Sequence, residues 1–227
     1  MIHAIVHSLE PVLLVGGAGV DSSALRELAV PGRKVVAADA GADAVLAAGL
    51  SPEAVIGDLD SISTKAADQL SDRLHRVEEQ VTTDFDKALR HVAAPLVIAA
   101  GFTGGRIDHE LAVLHGLVCH PDRPCVVVGA ETLVFLAPPS LELSLPEGSA
   151  FSLFPFGAVM AASEGLRWPT DGLAMAPDRA IGTSNAVCGP VRLRPDAPCL
   201  LVILPRSALP VVVAAMPVAA RWPARGE

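Results

Sequence analysis

The chain has 227 residues, a formal net charge of −8 and an isoelectric point near 5.3. Its 17 lysines and arginines form no run or stripe, so the composition argues against a nucleic-acid partner. Although 51% of the residues are hydrophobic, no apolar stretch reaches the roughly 20 residues that cross a bilayer, and we expect no membrane span. The first residues show neither a basic region nor a small-residue cleavage site, so a cytoplasmic location is expected.

The first part of the chain, from Pro11 to about Val134, alternates short apolar runs with Ala- or Leu-rich stretches. The predicted strands are Val12 to Val15, Val35 to Ala38, Ala54 to Ile56, Leu96 to Ala100 and Val126 to Val128. The predicted helices are Ser22 to Ala29, Ala42 to Ala48, Thr64 to Leu70, Asp84 to His91 and His109 to Cys119. This alternation predicts an α/β domain with a doubly wound, mostly parallel sheet.

The second part of the chain is punctuated by proline and glycine and shows no helical periodicity. Its apolar runs are short: Leu141 to Leu145, Ala150 to Phe154, Val191 to Leu193 and Leu200 to Leu204. We therefore predict a smaller all-β sandwich, with domains at residues 1–137 and 138–227. The apolar tail from Pro205 to Glu227 contains Pro210 and Pro217, which favours a packed tail or an edge strand over a regular helix.

Carboxylates follow the predicted strands at four places. Asp39 follows the second strand, Asp58 and Asp60 the third, and Asp108 the fourth, while Asp84 opens a helix between them. Because parallel strands end at the same edge of a sheet, these acids are expected to meet where open α/β folds bind ligands. Acids gathered in one place repel one another unless a cation lies among them, and Asp oxygens together with phosphates suit Mg²⁺.

Each acidic segment also has a structural interpretation. Asp58 and Asp60 share a face if the segment is extended, but Asp-Leu-Asp followed by Ser is also a common turn and helix-capping sequence. Thr83 and Asp84 begin a helix that brings Lys87 onto the same face, where backbone N–H groups and the lysine favour phosphate. An N-cap with an ion pair from Asp84 to Lys87 explains that segment equally well.

The two glycine-rich segments differ in how strongly they indicate a ligand-binding site. Gly104 and Gly105 let the backbone approach a ligand closely, and the neighbouring Arg106 offers a planar fork for phosphate oxygens. The segment from Gly16 to Gly19 lacks the third glycine of a dinucleotide fingerprint, and the sequence contains no phosphate-binding Gly-Lys-Ser/Thr loop. A tight strand-to-helix turn is the favoured interpretation of Gly16 to Gly19.

Taken together, the blocks resemble the thiamin pyrophosphokinase family, whose members transfer diphosphate from ATP to thiamin. The resemblance runs from the Gly16-Gly17 turn to about Ile203. It rests on Asp39 to Asp43, Ile56 to Ile62, Gln80 to Leu89, Gly104 to His109, Gly165 to Pro169 and Gly182 to Asn185.

The resemblance implies an N-terminal α/β domain, a C-terminal β-sandwich and a homodimer with active sites between subunits. It implies that Asp58, Asp60 and Asp84 bind Mg²⁺ and that Asp39 and Asp108 also line the catalytic site. The implied ATP contacts are Gln80, Thr83, Lys87 and Arg106, and the implied thiamin contacts are Trp168, Ser184 and Asn185. For the proton of the thiamin hydroxyl, Asp108 or Asp39 is the expected acceptor.

The chain departs from the family pattern at a few positions. Asp43 stands where the family usually has Asn, and Val81 stands where an Asp is common. Thr170 replaces the usual Leu, so the thiamin pocket is expected to be looser than is typical.

Two other functions fit parts of the pattern. A related diphosphokinase acting on a pterin alcohol would share the acids and the ATP contacts, and would differ at Trp168, Ser184 and Asn185. A non-catalytic nucleotide or thiamin sensor would be expected to lack one of the metal acids, all of which are present. A metal-dependent phosphohydrolase ranks last, because it needs an Asp where this chain has Gly16 and Gly17.

Overall fold

A computed structural model describes residues 3–79 and 81–225. The chain forms two compact units, one of Met1–Gly116 with Val127–Gly129 and the other of Leu117–Val126 with Ala130–Glu227. The predicted domain division at residue 137 stays a prediction. None of the helices in the described ranges is long and apolar enough to cross a membrane.

The first unit is built on parallel strands whose order is β7-β2-β3-β4-β5. Their bounds are β2 Val12–Val15, β3 Val35–Ala38, β4 Ala54–Gly57, β5 Leu74–Arg76 and β7 Val97–Ala100. Every residue of β2, β3, β4 and β7 is buried, so these apolar runs form the centre of the unit. In the register, Leu14 pairs with Val36 of β3 and with Ala99 of β7.

The remaining elements of this part of the chain connect and flank those strands. They are β1 Val6–His7, α1 Ser22–Leu28, α2 Gly41–Ala47, α3 Thr64–Gln69, α4 Asp84–Arg90, β6 Val92–Ala93, α5 Ile107–Cys119 and β8 Cys125–Val128. The strands and helices predicted between Pro11 and Val134 are confirmed within two residues at each end. A mixed α/β fold is therefore correct, while the doubly wound arrangement stays a prediction.

The second unit is antiparallel. Its strands are β9 Thr132–Leu136, β10 Leu141–Leu143, β11 Ala150–Pro155, β12 Ala161–Leu166, β13 Gly182–Pro195 and β14 Leu200–Pro205. The long strand β13 pairs with β11 through its first residues and with β10 and β12 through its later ones. The strands agree with the predicted antiparallel β structure, although the same unit also contains a helix, and its description as a sandwich stays a prediction.

The expectation of a packed tail is confirmed by the burial of Val212 and Met216, but the expectation that the tail forms no helix was wrong. Residues Leu209–Ala215 form a helix, α6, followed by a 3₁₀ turn at Met216–Val218. Pro210 and Pro217 each lie at the first or second position of their helical segment, where a backbone N–H has no partner inside the helix. Proline therefore starts these segments, although it would break the interior of a longer helix.

Candidate active site

Three carboxylates meet beyond the carboxyl ends of β3 and β4. One oxygen from each of Asp39, Asp58 and Asp60 lies within 4.8 Å of the others. Asp39 directly follows β3 and Asp58 directly follows β4, and the two strands are parallel neighbours. The sheet topology therefore brings these acids together, as the strand-end pattern predicts.

The backbone turns sharply at both acidic segments. Asp39 has a φ of 44° and Leu59, between Asp58 and Asp60, has a φ of 63°. Non-glycine residues seldom adopt this left-handed region, and such conformations gather at functional sites. The segment forms the turn that its sequence favours when taken singly, and this left-handed turn at Leu59 still directs the two carboxylates toward one place.

Asp39 is the most buried of the three acids. Its Oδ2 accepts a hydrogen bond from the backbone N–H of Ser61 at 3.2 Å, and its Oδ1 has no hydrogen-bond partner among the described residues. Burial raises the pKa of the Asp39 carboxyl, and the nearby charge of Asp84 raises it further. A buried, unpartnered carboxylate oxygen beside two other acids is a donor set that suits a divalent cation.

Glycine at position 57 makes room for these carboxylates. A β-carbon there would lie 3.0 Å from Cβ of Asp39 and 3.1 Å from Oδ1 of Asp84. Both contacts are tighter than most contacts of a β-carbon, so a side chain here would push the acids back by a few tenths of an ångström, and Gly57 lets them approach the end of β4.

Lys87 lies between two of the predicted metal acids. Its side chain is 2% exposed, and its Nζ lies 2.9 Å from Asp58 Oδ2 and 3.1 Å from Asp84 Oδ1. Burial by itself would lower the pKa of Lys87, but the hydrogen bonds to both carboxylates outweigh it and hold the pKa above its ordinary value. The ion pair between Asp84 and Lys87 within α4, which the sequence offered as an alternative, is therefore present. Asp58 forms a second ion pair with the same ammonium.

Thr83 has the capping role that its position predicts. It is the N-cap of α4, and its Oγ1 accepts a hydrogen bond from the backbone N–H of Asp86 at 3.3 Å. Gln80, a predicted ATP contact, lies outside the described residues, and the neighbouring Val81 is exposed.

Arg106 and Asp108 form an exposed pair. The guanidinium contacts the carboxylate through Nε at 3.1 Å and through Nη2 at 2.5 Å. The hydrogen bond from Arg106 lowers the pKa of the Asp108 carboxyl. The preceding glycine turn is attached to α5, because Glu110 Oε1 accepts a hydrogen bond from the N–H of Gly104 at 2.7 Å.

A cleft of about 300 Å³ adjoins the acids within the first unit. Of the predicted site residues, Asp39, Thr83 and Asp84 line it. Further lining residues are Gly16, Gly17, Ala18, Ala38, Ala40, Ser61, Phe85, Gly101, Phe102, His109 and Val113. The glycines at the ends of β2 and β7 thus form part of its wall.

Sequence reasoning missed several of the cleft residues. The sequence could have indicated His109, because it is the neighbour of Asp108, and Ser61, because it follows Asp60. Phe85 and Phe102 stack edge to face with their ring centroids 5.0 Å apart. No sequence signal links these two rings, because they belong to different elements.

Asp43, one of the departures from the family pattern, has a structural role. Its carboxylate accepts hydrogen bonds from the backbone N–H of Ser63 at 3.0 Å and from the Ser63 hydroxyl. Ser63 is in turn the N-cap of α3 and accepts from the N–H of Ala66. The acid at position 43 therefore orients the cap of the next helix.

The three predicted thiamin residues lie in the second unit. Asn185 is buried, and its side-chain amide pairs with both backbone groups of Trp168: Oδ1 accepts from N–H at 3.1 Å and Nδ2 donates to C=O at 2.7 Å. The Trp168 ring is 54% exposed, and the Arg167 guanidinium carbon lies 5.1 Å from its centroid. Ser184 has a φ of 63°, and its N–H donates to Ser152 Oγ at 3.0 Å.

Fold and site together define an α/β protein with a cluster of carboxylates at the carboxyl edge of a parallel sheet. Residues 26–128 match the family model described as "Thiamin pyrophosphokinase, catalytic domain". This match covers somewhat less than half of the chain, and over these residues the chain is similar to the thiamin pyrophosphokinase family.

Individual relatives show the same similarity. Thiamine pyrophosphokinase 3 of Oryza sativa subsp. japonica is 31% identical over 160 residues, which are 60% of this chain and 58% of the rice protein. Thiamine pyrophosphokinase 1 of Arabidopsis thaliana is 30% identical over 160 residues, again 60% of this chain and 58% of the relative. The chain thus spans less than two thirds of the length of these relatives.

Solved structures share the fold. The thiamin pyrophosphokinase of Geobacillus thermodenitrificans superposes with a TM-score of 0.70 at 20% identity, covering 86% of this chain and 96% of that one. The yeast thiamin pyrophosphokinase superposes with a TM-score of 0.71 at 15% identity, covering 94% and 95%. At these identities the similarity establishes the fold alone.

Proposed function

We propose that this chain is a thiamin diphosphokinase that transfers diphosphate from ATP to the hydroxyl of thiamin and releases AMP. The observation that carries the proposal is the convergence of Asp39, Asp58 and Asp60 beside the cleft of the first unit. The similarity to thiamin pyrophosphokinases supplies the reaction. Nothing in the site favours the pterin alcohol or sensor alternatives over it.

The acids fit Mg²⁺, which we propose as the cofactor. Asp39, Asp58 and Asp60 would hold it, with the predicted ligand Asp84 at the cleft wall. When bound, it would neutralise phosphate charge and orient the diphosphate group that moves. The buried, unpartnered Oδ1 of Asp39 is the feature of the site that best supports a cation there.

Lys87 has a different role in this proposal from the one that the resemblance implies. Its ammonium is buried and occupied by Asp58 and Asp84, so we propose that it sets the spacing of these two carboxylates. Arg106 is exposed and paired with Asp108, and a planar guanidinium suits phosphate oxygens. We therefore keep Arg106 as a proposed ATP contact.

The bonds that change are those of one in-line displacement. The thiamin oxygen forms a bond to the β-phosphorus of ATP, the bond from that phosphorus to the α,β-bridging oxygen breaks, and AMP leaves with those electrons. The hydroxyl proton passes to a carboxylate. Asp39 lines the cleft but is also a proposed Mg²⁺ ligand, and Asp108 is paired with Arg106 on the exposed surface, so both stay proposed acceptors.

The thiamin contacts remain proposals that rest on the resemblance. Trp168 offers an exposed aromatic face for a cationic thiazolium ring, and Asn185 holds the backbone of Trp168 in place. Ser184 lies next to Asn185 in a strained backbone conformation, which supports a functional role there. The sandwich architecture, the homodimer with sites between subunits and the cytoplasmic location are likewise proposed from the resemblance and the composition.

One assay tests the proposal directly. Purified protein is mixed with ATP, Mg²⁺ and thiamin, and AMP and thiamin diphosphate are quantified together by chromatography. Equal amounts of the two products are expected. ADP in place of AMP would contradict diphosphate transfer, and turnover only with a pterin alcohol would replace thiamin as the acceptor.

The variant Asp60→Asn links the activity to the acid cluster. Asp60 is exposed and its carboxylate accepts one hydrogen bond, from the Ser61 hydroxyl at 2.7 Å, so the fold should survive the change. Activity should fall by roughly 100-fold or more, because a charged ligand becomes neutral. The control Asp72→Asn removes an exposed carboxylate of the same unit and should retain full activity.

A further inference from the structure

The geometry points to Arg90 as a positioning residue that holds the segment leading into α4 in place beside the acid cluster. This inference rests on the proposed function, because it names a device that serves the same site. Arg90 is the last residue of α4, at the opposite end of that helix from Thr83 and Asp84. The sequence motifs do not mark it.

The guanidinium of Arg90 is the centre of a network of side chains. Its Nη2 lies 2.6 Å from Glu79 Oε2 and donates to Thr82 Oγ1 at 3.0 Å. Its Nε forms an ion pair with Asp86 Oδ2 at 2.7 Å. One cation thus ties residues 79 and 82, which precede α4, to the body of that helix.

Glu79 connects the network to the backbone of Thr82. Its Oε1 accepts from the N–H of Thr82 at 2.6 Å, and its Oε2 accepts from the Thr82 hydroxyl at 3.0 Å. The hydrogen bond from Arg90 lowers the pKa of the Glu79 carboxyl, so this group stays ionised near neutral pH. Loss of Arg90 would therefore leave an ionised Glu79 without its cation.

The network is sheltered enough to have a fixed geometry. The side chain of Arg90 is 18% exposed, and that of Asp86 is 13% exposed. The guanidinium meets two different carboxylates through separate nitrogens, Nη2 with Glu79 and Nε with Asp86, and the rigid planar arrangement of these nitrogens fixes the contacts better than the flexible ammonium of a lysine would. Arg90 itself is absent from the lining of the cleft.

The effect of Arg90 on catalysis is transmitted by the residues that follow Thr82. Thr82 is followed directly by Thr83, which caps α4, and by Asp84, which lines the cleft and pairs with Lys87. A shift of about 1 Å in a group that orients substrate can reduce turnover by about 10²-fold. Arg90 thus acts on the reaction through the position of Thr83 and Asp84, without touching the substrate.

The test uses the full chain and the variants Arg90→Gln, Arg90→Lys and Arg73→Gln. Arg73 is a matched control in the same unit, because its guanidinium also makes two hydrogen bonds, to Ser51 Oγ at 2.6 Å and to the Pro52 carbonyl at 2.7 Å. Two quantities are measured: kcat and KM for ATP with Mg²⁺ and thiamin, and amide hydrogen exchange of residues 79–86 without substrates.

Arg90→Gln should lower kcat/KM for ATP by roughly 10- to 100-fold and speed exchange of residues 79–86, with exchange in β2 and β3 unchanged. Arg90→Lys should fall between Arg90→Gln and the original protein, because one ammonium cannot reproduce the fork. Arg73→Gln should change kcat/KM by no more than about twofold. Adding Glu79→Gln to Arg90→Gln should bring little further loss, since both changes break the same network.

The inference is overturned if exchange of residues 79–86 in Arg90→Gln matches that of the original protein, or if exchange rises equally throughout the first unit. It is also overturned if Arg73→Gln lowers kcat/KM as much as Arg90→Gln does. A protein that makes no thiamin diphosphate would refute the proposed function instead, and the exchange measurement would still decide the role of Arg90.

Discussion

Replacing Lys87 by Met tests whether the buried ammonium holds the acid cluster together. Methionine retains an apolar stem of similar length and removes the charge that lies 2.9 Å from Asp58 Oδ2 and 3.1 Å from Asp84 Oδ1. Removing one partner of a buried ion pair costs about 3–5 kcal/mol. The side chain of Asp58 is 13% exposed and that of Asp84 is 34% exposed, so water can reach Asp84 and we expect a loss of about 3 kcal/mol.

The matched control is Lys34→Met. Lys34 pairs with Glu53 at 3.2 Å on the surface, with side-chain exposures of 38% and 53%. Exposed pairs of this kind contribute at most about 1 kcal/mol. Urea unfolding of both variants should be followed by far-UV circular dichroism, because Trp168 and Trp222 both belong to the second unit and their fluorescence does not report on Lys87. A loss below about 1 kcal/mol in Lys87→Met, equal to the control, would refute the counter-ion role.

The difference in stability between the original protein and Lys87→Met should depend on pH with a definite sign. The pKa of Lys87 is raised in the folded protein above its ordinary value of 10.5, since its two carboxylate partners outweigh the opposing effect of burial. Its contribution to stability is therefore fully present below pH 10.5 and is lost as the pH rises through the folded pKa. The stability gap between the original protein and Lys87→Met should stay flat around neutral pH and narrow only in strong alkali.

Three further predictions concern the packing, exposure and hydrogen bonding of individual residues. Gly41→Ala should destabilise the protein by about 3 kcal/mol or more in urea unfolding, because its β-carbon would overlap a backbone carbonyl oxygen of β2; a neutral change would contradict the packing at the start of α2. Iodoacetamide should alkylate the exposed Cys188 and spare the fully buried Cys125, whose thiol pKa is raised by burial, as mass spectrometry of the native protein can show. Asn185→Ala should cost about 2 kcal/mol and shift the fluorescence of Trp168, because two hydrogen bonds to the Trp168 backbone are lost; an unchanged spectrum would count against this clamp.

Much of the fold was accessible from local sequence. The runs Val12–Val15 and Val35–Ala38 were predicted residue for residue, because a buried parallel strand is uniformly apolar and needs no knowledge of its neighbours. Short strands such as Leu74–Arg76 were missed, since their mixed residues carry no periodic signal. The tail helix Leu209–Ala215 was missed because proline was taken as a helix breaker when it lies in the first turn.

The candidate site was accessible only in part. The acids Asp39, Asp58 and Asp60 were chosen for their place after strands, and the parallel register brings them within reach of one cation. The role of Lys87 needed the structure, because its second carboxylate, Asp58, is 29 residues away in the chain. The other residues assigned to ATP and thiamin remain predictions.

The sequence by itself therefore determined where the uniformly apolar strands of the first unit lie and that carboxylates follow them, because apolar runs and strand-end acids are local properties of the chain. Only the tertiary structure decided how those groups are paired. The left-handed turns at Asp39 and Leu59 and the burial of Lys87 between two acids depend on strands and helices that are distant in sequence. Packing of the surrounding strands and helices offsets the strain of the left-handed turns and the cost of burying the charged groups. This packing exists only once the sheet has assembled.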